Sequence, residues 1–523
     1  MSFSKSFSSG DFGHGSAFVI ETGRVKSVLS DLIQAFRRAV PLERNPTQAA
    51  ILFVIGFLIL PWLVSNVRSY RRLRHFKGPR LAAVSKLWHL KTVVGPTAYL
   101  DFYEVLKEYG PLARVGPNDL INDDPEFARH ILGVRSQYRR ADWDEEEHGK
   151  LRSKMAAGYS GREVAGFEKK IDDNITRLFR LLEKSIDVDQ PFDFGRKVQF
   201  FTLDVISDLA YGEPLGFMSN DKDMYDYLKS TEAALPVFMT LGVVPWVMKI
   251  FASPIFRSLM PSENDVVGFG KLMGIAKKIS AERFGPDRIV QKDMLGSFIN
   301  HGMTQEEAES EILVQVLAGS DTTATTIRAT VLHTITTPRV YARLLEEIAQ
   351  AAPNTSSPII SDAEARTLPY LQALIKEGLR IFPPVSAFAP KEVPAGGDVW
   401  KGRFIPGGTR IGWSAMALAR REETWGKDAA EFRPERWIMR EDGGICDSAE
   451  KLREMEGVHE LIFSHGRHQC LGKPVAVMEL NKVFFELFRR YDLSLCNPLK
   501  PWKSIHAGIH CQSEMWMRGH RRD

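Results

Sequence analysis

"FSHGRHQCLG", residues 463–472, holds one of only four cysteines in 523 residues, and its reading decides the fold. Phe463, Gly466, His468 and Gly472 stand at fixed offsets around Cys470. A cysteine that binds a soft or redox-active metal does so as a thiolate, which nearby backbone N–H groups or a positive field stabilise. The stretch encodes both. Gly466 and Gly472 allow a tight turn and a close approach of the backbone to a flat ligand. The segment after Cys470, KPVAVMELNKVFFELFRR, has the pattern of a helix whose N-terminal dipole favours a negative sulfur. His468 offers a donor two residues before the ligand, placed for a carboxylate on a cofactor rim. Phe463 would pack beneath the ring and exclude water. The competing reading, a buried cysteine after a glycine turn, leaves the other fixed positions unaccounted for.

Around this stretch the composition is that of an ordinary globular protein, 44% hydrophobic and 26% charged with a net charge of +4. So mild a balance, without basic runs interleaved with aromatics, argues against nucleic acid as a partner. Cys446, Cys470, Cys496 and Cys511 form no CxxC pair and no zinc-ligand spacing. A disulfide framework from so few would be thin for this size, which points to a reducing compartment. The sequons at Asn174 and Asn354 would need a lumenal location and are expected to be unused.

One segment departs from a soluble pattern. Thr47 to Val64, TQAAILFVIGFLILPWLV, carries no charge in 18 residues. As a helix it spans about 27 Å, enough for a thin reticulum-type bilayer. A buried core helix or a signal peptide is the alternative, but the stretch begins late and is apolar on every side. Arg68, Arg71, Arg72, Arg74 and Lys77 follow it, so the C-terminal part is expected on the cytosolic side. Lys26, Arg37, Arg38 and Arg44 on the other flank oppose that orientation. The expected organisation is a lumenal or unassigned segment at 1–46, a transmembrane helix at 47–64, a basic juxtamembrane linker at 65–78 and one catalytic domain at 79–523.

That domain reads as mainly α with small sheets. Helical patterns cover Tyr99–Tyr109, Glu163–Ile186, Val198–Tyr211, Lys271–Arg283, Thr304–Thr336 and Met478–Arg490. Strand-like pieces lie at Leu112–Val115, Leu120–Asn122 and Arg403–Ile411, the last turned at Gly407-Gly408. The apolar run Leu235–Phe256 is interrupted by Pro236, Pro245 and Pro254, so a continuous helix is not expected there. A membrane-dipping loop, a hydrophobic lid and plain core packing are equal readings.

Three further clusters carry chemistry. Thr304 and Glu307 form a capping box that opens a long helix with AGSDTT at 318–323. Gly319, Asp321 and Thr322 sit in an otherwise apolar stretch, where polar groups are costly unless partnered or functional. A bend held by a threonine back-bond is the bland alternative. Glu377 and Arg380 share a helical face at i and i+3; such a pair is usually solvated, but Leu374 lies on the same face. His148 and Arg152 stand one turn apart in HGKLR.

The pattern FxxG-x-[Arg/His]-x-C-x-G resembles the haem-binding loop of the cytochrome P-450 superfamily, whose cysteine thiolate is the axial iron ligand, donating electron density that favours O–O cleavage. The resemblance runs from about Gly78 to the C-terminus, with four motifs in the family's order. It implies that Cys470 ligates the iron of a haem b. Gly319, Asp321 and Thr322 would lie on the oxygen-activation helix, the glycine leaving room for dioxygen while acid and alcohol deliver protons. Glu377, Arg380 and Arg436, the last from FRPERW, would form a structural ion network behind the haem. His148 and Arg152 occupy the place of the family's WxxxR pair, with histidine for tryptophan, and would meet one propionate. Lys391, where arginine is commoner, would meet the second. The stretch from Gln469 to Leu495 resembles fungal members of the pisatin-demethylase type, which act in secondary metabolism.

The activity implied is a membrane-anchored monooxygenase of the endoplasmic reticulum, single-pass, its catalytic domain facing the cytosol. It would insert one oxygen atom from O2 into a lipophilic small molecule. No G-x-G-x-x-G fingerprint for flavin or dinucleotide occurs in a strand–helix context, so electrons would come from NADPH through a separate reductase, or from a cytochrome b-type donor. Desaturation, ring closure or isomerisation on the same fold is the alternative within enzymes, and a haem-binding sensor or carrier the alternative outside them. Asp321 and Thr322 speak against a carrier, which needs no proton relay.

Overall fold

The computed structural model describes residues 60, 64–140, 144–244, 247, 250, 253, 260–355 and 358–522. It divides into two compact units, Ser2–Arg74 and His75–Asp523. The transmembrane helix expected at 47–64 lies outside the described residues except for Leu60 and Val64. In the N-terminal unit residues 64–72 are helical. Among the described residues, no helix is long and apolar enough to cross a membrane.

The larger unit is mainly helical with small sheets. In chain order, the elements that matter here begin with α1 (Ala98–Tyr109), β1 (Leu112–Gly116), β2 (Asp119–Asn122), α2 (Glu145–Tyr159) and α3 (Phe167–Ile186). Then come β3 (Phe192–Asp193), α4 (Phe194–Tyr211), α5 (Tyr227–Val243), α6 (Gly268–Phe284), α7 (Gln305–Ile335) and α8 (Pro369–Ile381). The chain closes with β4 (Lys391–Glu392), β5 (Arg410–Trp413), α9 (Lys473–Arg490), β6 (Tyr491–Leu495), β7 (Lys503–His506), β8 (His510–Ser513) and β9 (Trp516–Arg521).

Periodicity explains the helices. On α3, Ile171, Ile175, Leu178 and Leu182 repeat at helical spacing, and all four are buried. Asn174 shares their burial and donates to Asp208 at 2.8 Å, so this sequon is closed to glycosylation. The long α7 starts where its capping box places it: Thr304 Oγ1 accepts from the Glu307 N–H, and the Glu307 carboxylate accepts from the Thr304 N–H. At about 1.5 Å per residue it is roughly 46 Å long, and it packs against α4, α6, α8, α9 and β8.

α5 passes through Pro236 but ends at Val243, so the apolar run is not one continuous helix, although its first proline does not break it. Proline removes one helical hydrogen bond, but the segment is held from outside. Leu235 packs on Ala507 and Cys511, Glu232 pairs with Arg196, and Thr240 Oγ1 donates to the Pro236 carbonyl. Core packing is thus the reading for its first part; most of the run beyond Val244 lies outside the described residues.

The sheets are small. β1 and β2 pair antiparallel, β2 and β5 parallel with Asn122 opposite Trp413, and β5 and β4 antiparallel with Ile411 opposite Lys391. The strand expected over Arg403–Ile411 is two pieces: Arg403–Ile405 pairs with Asp398–Trp400, and the chain turns at Gly408 before entering β5. β3, β9 and β6 form a second sheet, and the β7–β8 hairpin brings Cys511 to the side of α7.

Candidate active site

Cys470 stands at the mouth of α9. Its backbone N–H donates to the Phe463 carbonyl at 2.8 Å, which closes the loop. Gly466 has φ +61°, and a Cβ there would lie 2.3 Å from the Leu132 carbonyl oxygen, so only glycine fits. Gly472 differs: its φ is −76° and a Cβ would find ordinary contacts with the Cys470 sulfur and Tyr159. The Gly472 and Lys473 N–H groups and the Arg152 guanidinium lie on the side of the Cys470 sulfur and pull its pKa down. These were expected to favour the thiolate, yet burial outweighs them and pushes the thiol above its ordinary value. Without a cation beside the sulfur, burial favours the neutral thiol. Although surrounded by protein, the residue stays accessible to solvent. Phe463 is half-buried beneath the Lys473 ammonium.

Beside the loop, charged and imidazole groups from three elements converge. His148 on α2 stacks on His468, ring centroids 4.8 Å apart at 17°. Lys391 on β4 brings Nζ to 2.6 Å from His468 Nε2. It therefore joins the cluster of His148 and His468 instead of forming a second, separate one. Glu145, the first residue of α2, sits among them, 3.2 Å from Lys391 Nζ and 3.0 Å from His468 Nε2. Burial, the Lys391 ammonium and the Arg140 guanidinium push His468 down to about 4, so its ring is neutral near pH 7.

α7 presents two different faces. Val314 and Ala318 are exposed and Thr322 half-buried, one stripe at i, i+4 and i+8 beyond the exposed first turn of the helix. Thr322 Oγ1 donates to the Ala318 carbonyl at 2.9 Å, the back-bond weighed as an alternative, yet the helix is unbroken from Gln305 to Ile335. Asp321 points elsewhere. It is 1% exposed, accepts from the Gln199 amide on α4 and has the Cys511 thiol of β8 as a neighbour. Burial raises its carboxyl to about 6 against the opposing pull of Arg328. Asp321 and Thr322 do not share one pocket, and no bulge turns them together. Gly319 also has a neighbour other than the one expected: a Cβ there would come within 2.8 Å of Ile206, so α4 packing explains the glycine.

Behind the loop, Glu377 and Arg380 are fully buried and paired at 2.7 Å, with Arg436 Nε 3.0 Å from the same carboxylate. Trp437 Nε1 and the Arg433 N–H also donate to Glu377. Arg380 in turn donates to the carbonyls of Ala419, Ala429 and Glu431. The network ties α8 to the chain that leads towards Cys470.

A family model, cytochrome P-450, matches residues 104–514. The chain belongs to the cytochrome P-450 family. It is 40% identical to the cytochrome P-450 monooxygenase ABA1 of Pyricularia oryzae, over 88% of this chain and 94% of that protein. To the cytochrome P-450 monooxygenase aba1 of Botryotinia fuckeliana it is 39% identical, with 85% and 91% covered. Among solved structures, the cytochrome P-450DA haem domain matches with a TM-score of 0.67 at 16% identity, over 86% of this chain and 98% of that one. That likeness is one of fold.

As a member of the P-450 family the protein is a haem-dependent oxidoreductase, and the family implies thiolate-ligated iron and dioxygen. The residues of this P-450 fit such a group. An accessible sulfur faces two backbone N–H groups that favour its negative form. Lys391, His148 and His468 gather beside the cysteine loop in an arrangement suited to carboxylates. Glu145, Gln199, Arg328, Trp437 and Cys511 were not singled out from the sequence. Glu145 and Lys391 are 246 residues apart and Gln199 and Asp321 are 122 apart; no local pattern records such pairings.

Proposed function

We propose that this P-450 inserts one oxygen atom from O2 into a lipophilic small molecule in fungal secondary metabolism. Electrons would come from NADPH through a separate reductase, and the protein would be anchored in the endoplasmic reticulum by residues 47–64 with the catalytic unit facing the cytosol. The observation that carries the reading is the accessible face of α7, apolar at Val314 and Ala318 and bearing one hydroxyl at Thr322. Such a face suits an apolar substrate next to a single proton-handling group. The haem, when bound, supplies the oxidation chemistry. Cys470 would hold the iron by its sulfur, and His148, Arg152, His468 and Lys391 would hold the cofactor's carboxylates. Thr322 keeps its proton at Oγ1 until a better acceptor than the Ala318 carbonyl arrives. Asp321, poised near 6, exchanges protons on the buried side of the helix, where Gln199 and the Arg196–Glu232 pair lead outward.

The test incubates membranes carrying the protein and a reductase with NADPH, labelled dioxygen and a panel of lipophilic candidates. One labelled oxygen in the product supports the reading; a product formed without label would replace it with desaturation, ring closure or isomerisation.

Two further results are expected. Thr322→Ala should bind substrate and consume NADPH but divert most turnover to hydrogen peroxide. Asp321→Asn should lower total turnover on the order of 100-fold, the usual worth of a positioned acid, and raise the solvent isotope effect. It should also remove any step in the pH profile near 6, because the amide cannot titrate. Wild-type coupling in both variants would move proton delivery to other residues. Deleting residues 1–66 should release much of the protein from membranes with haem still bound. Failure of the shortened chain to load haem would make the N-terminal helix part of the core.

A further inference from the structure

Glu145 is a carboxylate set among Lys391 and His468, the residues read above as contacts for the cofactor's carboxylates. Its Oε1 lies 3.2 Å from Lys391 Nζ and accepts from the Arg140 N–H at 3.2 Å. Its Oε2 lies 3.0 Å from His468 Nε2. The three side chains are nearly closed to solvent: Glu145 is 10% exposed, Lys391 4% and His468 5%. A metal ion is a poor occupant, although Glu145, His148 and His468 bring ligand atoms within 4.8 Å of one another. The Lys391 ammonium at 2.6 Å from His468 already fills the cationic role and would repel a divalent ion. The cluster is built for anions, and one anion is already present.

We propose that Glu145 competes with a haem carboxylate for Lys391 and His468, so that haem retention is set by an exchange between a side-chain carboxylate and a cofactor carboxylate. This rests on the reading of His468 and Lys391 as haem-carboxylate contacts. Glu145 neutralises a buried ammonium. With haem bound, its carboxylate and that of Glu145 would share Lys391, with the Arg140 guanidinium beside them, and the like charges would oppose each other. Glu145 starts α2, just after its N-cap Asp144, so it can turn away at the helix end without breaking the helix. It is a positioning residue that acts through Lys391 and His468.

The prediction has a sign that a merely supportive residue would not give. Haem transfer from the holoenzyme to excess apomyoglobin is timed for wild type, Glu145→Gln, Lys391→Met and the double variant. Glu145→Gln keeps the shape and removes the charge, and it should slow haem release roughly three- to tenfold, the scale of a partly screened charge pair. Lys391→Met should speed release, and in its background the benefit of Glu145→Gln should shrink. Unchanged or faster release from Glu145→Gln, with Lys391→Met still faster than wild type, would overturn the exchange and leave the cluster's haem-binding role standing. If Lys391→Met also releases haem at the wild-type rate, the reading of the cluster and the proposal fall together. Glu145→Asp, which draws the carboxylate back by one methylene, serves if the glutamine variant loads poorly; release at the wild-type rate or faster there overturns the proposal too.

Discussion

Glu377→Ala is expected to give almost no haem-loaded protein. The Glu377 carboxylate receives two hydrogen bonds from Arg380, one from Arg436, one from Trp437 Nε1 and one from the Arg433 N–H, at 2.7 to 3.0 Å. Neither Glu377 nor Arg380 has any exposed surface. Removing the carboxylate strands two buried guanidinium groups, and breaking a buried pair from one side costs roughly 3–5 kcal/mol. That is a large part of the stability of a typical domain. Glu377→Gln should be milder, because an amide oxygen still accepts from Arg380 and Trp437. Burial alone would raise the Glu377 carboxyl, but Arg380 and Arg436 hold it down at about 2. A depressed carboxylate contributes stability that is present above its unfolded pKa and lost as pH falls through the folded one. The wild-type network should therefore persist at neutral pH and fail only as pH drops from about 4.5 towards 2. Haem content per purified chain checks this; normal loading of Glu377→Ala would mean that the network is not what holds the site.

Cys470→Ser should abolish oxygen insertion and leave the fold intact. The exchange removes one sulfur from an accessible position, so circular dichroism should match wild type. The Gly472 and Lys473 N–H donors stay in place, but a serine hydroxyl does not become an anionic soft ligand under them. The other cysteines offer no substitute. Cys446 and Cys511 are buried, and the Cys511 thiol is engaged with Asp321. Cys496 is exposed at the end of β6, where its N–H donates to Trp516. Cys511→Ser should consequently keep the thiolate spectrum, and product formation by Cys470→Ser would remove the sulfur from the mechanism.

The parts of this molecule that the sequence discloses are those written in short stretches. The Cys470 loop, the Thr304–Glu307 capping box and the Glu377–Arg380 spacing are local, so covalent geometry and helical periodicity carry them directly into structure. Arg436 was joined to Glu377 through a second motif, and the pair meets at 3.0 Å. What stayed hidden depends on distant segments meeting. Trp437, next to Arg436, completes the Glu377 cage only because the chain folds its indole inward. Gly319 looked like space for a gas molecule until Ile206 of α4 was seen against it. Pro236 looked like a helix breaker, and tertiary contacts overrode it. Asp321 shows the same limit: neighbours in sequence on a helix point about 100° apart, and its partners come from α4 and β8.

The most direct measurement is the absorption of the ferrous carbon monoxide complex of the wild-type protein. With the Cys470 sulfur on the iron, as proposed, the red-shifted Soret band of a thiolate-ligated haem is expected. A band at the position of histidine-ligated haem, in protein that has not been heated or denatured, would contradict it.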